Sequence, residues 1–213
     1  MTTLEWVMAR KIIAIVRGLR PEYMVRLAEA LYAGGIDLME VTFDQKHPDT
    51  WADTAAAIRA IGEHMKGKML PGAGTVINGQ QLDMARDAGA AYIITPNTNP
   101  DLIRKVKAYG LVSFPGAYTP SEIEAAWEAG ADAVKVFPAG TLGTAYIKAV
   151  RAPLSHIPLM AVGGVNEKNC ADFIAAGCCG VGVGGSLVNR EWIANGEWDK
   201  ITALAAEYRK AVG

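Results

Sequence analysis

Short apolar runs rich in β-branched residues alternate with helical stretches along the whole of this chain, and no other feature constrains its fold as tightly. Parallel strands cannot be joined by tight turns. Each needs a crossover, usually a helix, so serial βα units build a parallel sheet. The β-like runs fall at 11–16, 37–42, from about 69 to 75, at 91–95, 111–114, within 131–140, at 158–162 and at 180–183, which makes eight. A short amphipathic helix at 3–10 precedes the first run. Helices are expected at 21–33, opened by Pro21 and closed by Gly34 as a left-handed cap, at 51–65 and at 198–212. The pairs Ala33-Gly34, Ala88-Gly89, Tyr109-Gly110, Ala129-Gly130 and Ala176-Gly177 each precede a new apolar run and mark a recurring unit end. No Pro/Ser-rich linker divides the chain, so residues 1–213 read as one domain. Eight such units close as an α/β fold, a (β/α)8 TIM barrel with an N-terminal helix, whose chemistry sits at the C-terminal ends of its strands. A doubly wound open sheet is the competing fold. It normally carries GxGxxG after its first strand, which Arg17-Gly18-Leu19-Arg20 is not.

The sixth run contains a lysine, Lys135, between Val134 and Val136. Strand side chains alternate, so Ala133, Lys135 and Phe137 share one face, and valines turned to covering helices put the lysine in the lumen. An ammonium costs on the order of several kcal/mol to hold in an apolar interior unless it is paired or neutralised. One answer is an amine of lowered pKa that attacks a carbonyl. The other is a strand-end lysine that snorkels to water or pairs with a carboxylate.

Polar residues at other strand ends fit the first answer. Glu40 and Thr42 share a face of the second run, where Glu40 can meet Lys135 across the lumen as general base and acid, or as a structural ion-pair partner. Arg17 continues the parity of Ile15 and is a candidate carboxylate clamp, or else a loop arginine facing solvent. The small residues of Pro71-Gly72-Ala73-Gly74-Thr75 let backbone approach a ligand and a hydroxyl donate to it. After the seventh and eighth runs stand Gly163-Gly164 and Gly184-Gly185-Ser186, in the loops where barrels often bind phosphate through backbone N–H groups.

Composition narrows the ligand. Net charge is −1, with Lys+Arg 21 against Asp+Glu 22 spread without blocks, so there is no electrostatic footprint for nucleic acid or an anionic membrane. A small neutral or anionic molecule fits better. The first residues lack a basic stretch followed by an apolar core, and no apolar run approaches the roughly 20 residues of a membrane span, so a soluble cytoplasmic protein is expected. Cys170, Cys178 and Cys179 lack CxxC spacing and read as reduced packing residues. His47, His64 and His156 are scattered, and neither a metal nor a cofactor is expected.

Taken in order, Ile15-Val16-Arg17-Gly18, Glu40-Val41-Thr42, Gly72-Ala73-Gly74-Thr75-Val76, Thr95-Pro96-Asn97, Pro115-Gly116, Lys135-Val136-Phe137-Pro138, Val162-Gly163-Gly164 and Gly184-Gly185-Ser186 carry a likeness over nearly the entire chain. The sequence resembles the class I 2-keto-3-deoxy-6-phosphogluconate / 4-hydroxy-2-oxoglutarate aldolases, including the 6-phosphogalactonate branch. The resemblance implies a trimeric barrel without cofactor that cleaves a 2-keto acid to pyruvate and an aldehyde. Carried over, Lys135 forms the Schiff base and Glu40 shuttles protons. Arg17, Thr42 and Thr75 contact the substrate, with Arg17 and Thr75 on the pyruvyl part. Pro96 and Phe137 wall it, and Gly163, Gly164, Gly185 and Ser186 cradle a phosphate. One position departs: members acting on 6-phosphogluconate typically have arginine four residues after the glutamate, and here Asp44 stands there. That shifts the carboxylate contact to Arg17. Two other readings of the same residues are a sugar-phosphate isomerase or epimerase using Glu40 as base without an imine, and a non-catalytic ligand-binding barrel.

Overall fold

The computed structural model describes residues 1–213. Its strands are β1 (Ile12–Val16), β2 (Leu38–Thr42), β3 (Leu70–Gly74), β4 (Tyr92–Ile94), β5 (Val112–Phe114), β6 (Gly116–Ala117), β7 (Val134–Val136), β8 (Leu159–Val162) and β9 (Gly180–Val183). All pair in parallel, in the order β5-β4-β3-β2-β1-β9-β8-β7-β6. The two ends of this order, β5 and β6, are separated in the chain by Pro115 alone. Proline has no N–H to give to a ladder, so it splits one strand into two segments. The nine segments are therefore the eight expected strands, and the chain through Pro115 closes the ring. The Pro115 carbonyl still accepts a bond from the Lys135 N–H at 2.8 Å, tying the break to its neighbour.

Strand parity sorts the residues into two cores. Val134 and Val136 face outward, into the large cluster that joins the sheet to its helices. A second cluster fills the barrel: Ile13, Leu38, Tyr92, Ile94, Val112, Phe114, Ala133 and Met160, together with Val7 of α1 (Thr3–Arg10). That helix covers the N-terminal end of the barrel. Its start is fixed by a capping box between Thr2 and Glu5. It is latched by Asp37 at the foot of β2, which accepts a bond from Trp6 Nε1 at 3.1 Å and pairs with Arg10 at 2.8 Å. The open C-terminal end is left for the site. The lumen is narrow enough that Gly72 must be glycine, since a Cβ there would stand 2.0 Å from the Tyr92 ring.

The helices outside the barrel are α2 (Met24–Ala33), α3 (Trp51–His64), α4 (Gly79–Asp87), α5 (Pro100–Ala108), α6 (Pro120–Glu128), α7 (Ala139–Arg151), α8 (Cys170–Ala175), α9 (Arg190–Ala194) and α10 (Trp198–Val212). Two local expectations change. Pro21 opens a 3-10 turn, Pro21–Tyr23, before α2 begins. Gly34 has φ −84° and is not left-handed; Gly35, at φ +86°, takes that role. Gly34 is small for a different reason: a Cβ would lie 2.5 Å from both Ala205 Cβ and the Thr202 carbonyl oxygen, where α10 crosses the end of α2. The glycines of the other four unit ends, Gly89, Gly110, Gly130 and Gly177, are all at positive φ. The three cysteines are free. Burial pushes the Cys178 thiol up to about 12 and that of Cys179 to about 11, so both stay protonated and inert at neutral pH.

Candidate active site

At the C-terminal end of the barrel lies a cavity of about 690 Å³. It gathers Arg17, Glu40, Thr75, Pro96, Lys135, Phe137, Gly163, Gly164, Gly185 and Ser186, ten residues from loops and strands spread over the chain. Lys135 and Glu40 enter it from β7 and β2 by the alternation that turned the flanking valines and Met39 to the helices.

Both are deeply buried, Glu40 with 1% of its surface exposed and Lys135 with 7%. Burial raises the Glu40 carboxyl above its ordinary value, against the opposing pull of the Lys135 and Arg17 charges. Burial likewise lowers the Lys135 ammonium, against Glu40 and with the help of Arg17. The two directions agree: desolvation outweighs the attraction between the pair, because each acts on the other across space and not through a hydrogen bond. Glu40 Oε2 has no hydrogen-bond partner. Lys135 and Arg17 act on the carboxyl across space, with no hydrogen bond between them. The Lys135 ammonium lies over the Phe137 ring at 4.8 Å, so the residue that walls the cavity also orients the amine.

The rim carries Arg17, Ser186 and two glycine-rich turns. Arg17 Nη2 donates to Thr75 Oγ1 at 3.3 Å, and Arg190 Nη2 holds the Arg17 carbonyl at 2.7 Å. Gly163 and Gly164 have φ of +86° and +74°. Their loop meets the start of α7 so closely that a Cβ on Gly140 would stand 2.8 Å from Gly164 Cα, and the Gly140 N–H donates to the Gly163 carbonyl at 2.7 Å. Ser186 Oγ donates to the Val165 carbonyl at 2.9 Å and fixes the second loop to the first.

Thr42 is not among the residues that line this cavity. It opens with Asp44 on a neighbouring one of about 250 Å³, bounded by Gly18, Arg20 and the start of α3. Thr42 is still within β2, level with Gly74 of β3, and its buried hydroxyl has no hydrogen-bond partner. Asp44 faces the same way. Its Oδ1 accepts from the Lys46 N–H at 2.9 Å and its carbonyl from Trp51 Nε1 at 2.7 Å, the contacts of a turn residue. Sequence reasoning also missed Asn166, which lines the cavity two residues after Gly164, with Val165 between them. A polar residue so soon after a glycine pair was the available signal. Asn169 secures that loop, with Nδ2 donating to the Gly164 carbonyl at 3.0 Å.

A closed barrel holding a desolvated amine against a carboxyl, beneath a rim of arginine and glycine-rich turns, defines an enzyme of carbonyl chemistry: an aldolase, a carbon–carbon lyase. The chain belongs to the KDPG and KHG aldolase family, which it matches over residues 5–204. It is 36% identical to the 2-dehydro-3-deoxy-6-phosphogalactonate aldolase of Escherichia coli K12, over 98% of this chain and 100% of that one. It is 35% identical to the 2-dehydro-3-deoxy-phosphogluconate aldolase of Treponema pallidum, over 95% of this chain and 94% of that one. Among solved structures, the KDPG aldolase of Legionella pneumophila, with pyruvate captured as a covalent carbinolamine, superposes with a TM-score of 0.86 at 28% identity, covering 97% of each chain.

Proposed function

We propose that this enzyme cleaves a 2-keto-3-deoxy-6-phospho sugar acid of the gluconate or galactonate type, or a related 4-hydroxy-2-oxo acid, to pyruvate and an aldehyde such as glyceraldehyde 3-phosphate. The observation that carries the reading is the Lys135 amine, buried, lowered in pKa and facing Glu40 without bonding to it. The Lys135 Nζ lone pair adds to the C2 carbonyl, and the carbinolamine hydroxyl leaves as water with a proton from the Glu40 carboxyl, giving an iminium. Glu40 takes the proton of the C4 hydroxyl as the C3–C4 bond breaks. The electron pair passes into the iminium as an enamine, and the aldehyde leaves. Glu40 returns the proton to C3, and water releases pyruvate from Lys135.

Arg17 and Thr75 hold the carboxylate, Pro96 and Phe137 wall the keto acid, and the N–H groups of Gly163, Gly164 and Gly185 with Ser186 take the phosphate. The relatives' substrates and the family resemblance support this assignment. No helix of the chain is long and apolar enough to cross a membrane. The same resemblance supports a cytoplasmic homotrimer, which light scattering would report as three times the chain mass.

The test is reduction with borohydride in the presence of pyruvate. The expected result is a pyruvate-derived mass on the peptide containing Lys135, with cleavage undiminished by EDTA. An unmodified Lys135, or activity lost to EDTA and restored by metal, overturns the reading. A turnover screen of phosphorylated and unphosphorylated 2-keto-3-deoxy acids in both C4 configurations would then fix the substrate.

A further inference from the structure

The loop after β3 contains a backbone conformation that its residue does not favour. Thr75 sits at φ +56°. The left-handed region is disfavoured for β-branched residues, which persist there only when the surroundings hold them. Two glutamines do the holding. Gln45 Nε2 donates to the Thr75 carbonyl at 2.7 Å. Gln81 Nε2 donates to Gln45 Oε1 at 2.9 Å, and Gln81 Oε1 accepts from the Ile77 N–H at 2.8 Å. The turn from Thr75 to Ile77 is thus gripped at both ends by two side-chain amides in series.

The donor and acceptor roles run in one direction. Each amide uses its N–H on one side and its oxygen on the other, so flipping either would break two bonds at once. Gln81 is fully buried, where a primary amide is costly unless its hydrogen bonds are made. Neither glutamine lines the cavity, whereas Thr75 does, and its hydroxyl accepts from Arg17 at 3.3 Å. Arg17 and Thr75 follow different strands, β1 and β3, and what sets their meeting geometry is the handedness of one residue.

We propose that Gln45 and Gln81 are positioning residues for the reaction: they lock Thr75 in its left-handed conformation so that its hydroxyl and Arg17 together present the site for the keto-acid carboxylate. This rests on the imine reading above. Gln45 acts on the bound substrate through Thr75 and has no contact with it. Its loss weakens capture of the keto acid and leaves the Lys135 amine able to react once the acid is bound.

Gln45 is exposed on its loop, so its variants keep the core intact. The experiment measures the pyruvate concentration for half-maximal borohydride trapping of the full chain, in the wild type and in Gln45→Glu, Thr75→Gly and the double variant. Gln45→Glu keeps the shape and the acceptor for Gln81 but loses the donor to Thr75. The half-saturating concentration is expected to rise on the order of ten-fold, as for loss of one hydrogen bond, with the trapping rate at saturation unchanged. Thr75→Gly adopts the same φ freely and removes the hydroxyl, so adding Gln45→Glu to it should change nothing further. An equal loss in both backgrounds, or a Gln45→Glu enzyme that matches the wild type, overturns the proposal while the imine reading stands. Absence of trapping in the wild type overturns both.

Discussion

Glu40 and a side chain at position 74 exclude one another: a Cβ on Gly74 would stand 1.6 Å from Glu40 Oε1 and 2.4 Å from its Cδ. Gly74 ends β3 directly beside β2, and its missing side chain is the space the carboxyl occupies. The position of the proton-transfer group is set by an absence on the neighbouring strand.

Gly74→Ala therefore evicts the carboxyl from its place. The expected result is a fall in kcat of about 10²-fold or more, the usual contribution of a placed acid–base group. Borohydride trapping of pyruvate on Lys135 should persist, because amine and barrel are retained. Steady-state cleavage rates beside adduct mass measure both, and a Gly74→Ala enzyme with normal kcat would refute the role of Glu40.

Lys135 costs the fold stability. Its pKa in the folded chain lies below the ordinary lysine value of 10.5, so the penalty is full below the folded pKa and vanishes only above 10.5. Lys135→Met fills the same space without charge and loses one weak contact with the Phe137 ring. It should abolish activity and adduct formation; combined with Glu40→Leu, so that no carboxyl is left buried without its compensating charge, it should raise stability by about 1–3 kcal/mol at pH 7. Denaturant melts should show the gain shrinking as pH rises toward and past 10.5.

The pH dependence of trapping reports the coupling between the pair. Neutral amine is present above the Lys135 folded pKa and is lost as pH falls through it. The Glu40 charge raises that pKa, so Glu40→Gln lowers it further. The acid limb of the trapping-rate profile should move to lower pH in Glu40→Gln, while cleavage turnover is lost. A limb that moves to higher pH would contradict the electrostatic account.

At the opposite end of the barrel, Asp37→Ala removes the acceptor for Trp6 and the partner of Arg10. The latch between α1 and the barrel floor should weaken by about 1 kcal/mol, since the part-buried indole N–H loses its bond. Limited trypsin digestion is expected to cut at Arg10 sooner than in the wild type. Cleavage activity well below the melting temperature should be unchanged, because the latch lies at the other end of the strands.

Much of the site was legible in the sequence because strand parity is local. Lys135 and Glu40 were assigned to the lumen by counting residues in twos, and each strand's period held. Thr42 shows where that rule stops: parity assigns a face, but not which cavity a side chain at the strand end lines, and Thr42 opens on a different one. Gly34 shows the same limit. Its place at the unit end was readable, whereas its smallness answers to α10, which arrives about 170 residues later in the chain.

What the sequence determined alone was the alternation of strands and helices, the closed barrel this demands, and the face on which each polar strand residue lies. These follow from periods and cap signals carried within each unit. The tertiary structure decided the rest: the split of one strand at Pro115, the void at Gly74 that admits Glu40, the handedness of Thr75, and the dominance of burial over attraction between Lys135 and Glu40. Each depends on atoms brought within a few ångströms by distant parts of the chain, and steric exclusion and desolvation act only once those atoms meet.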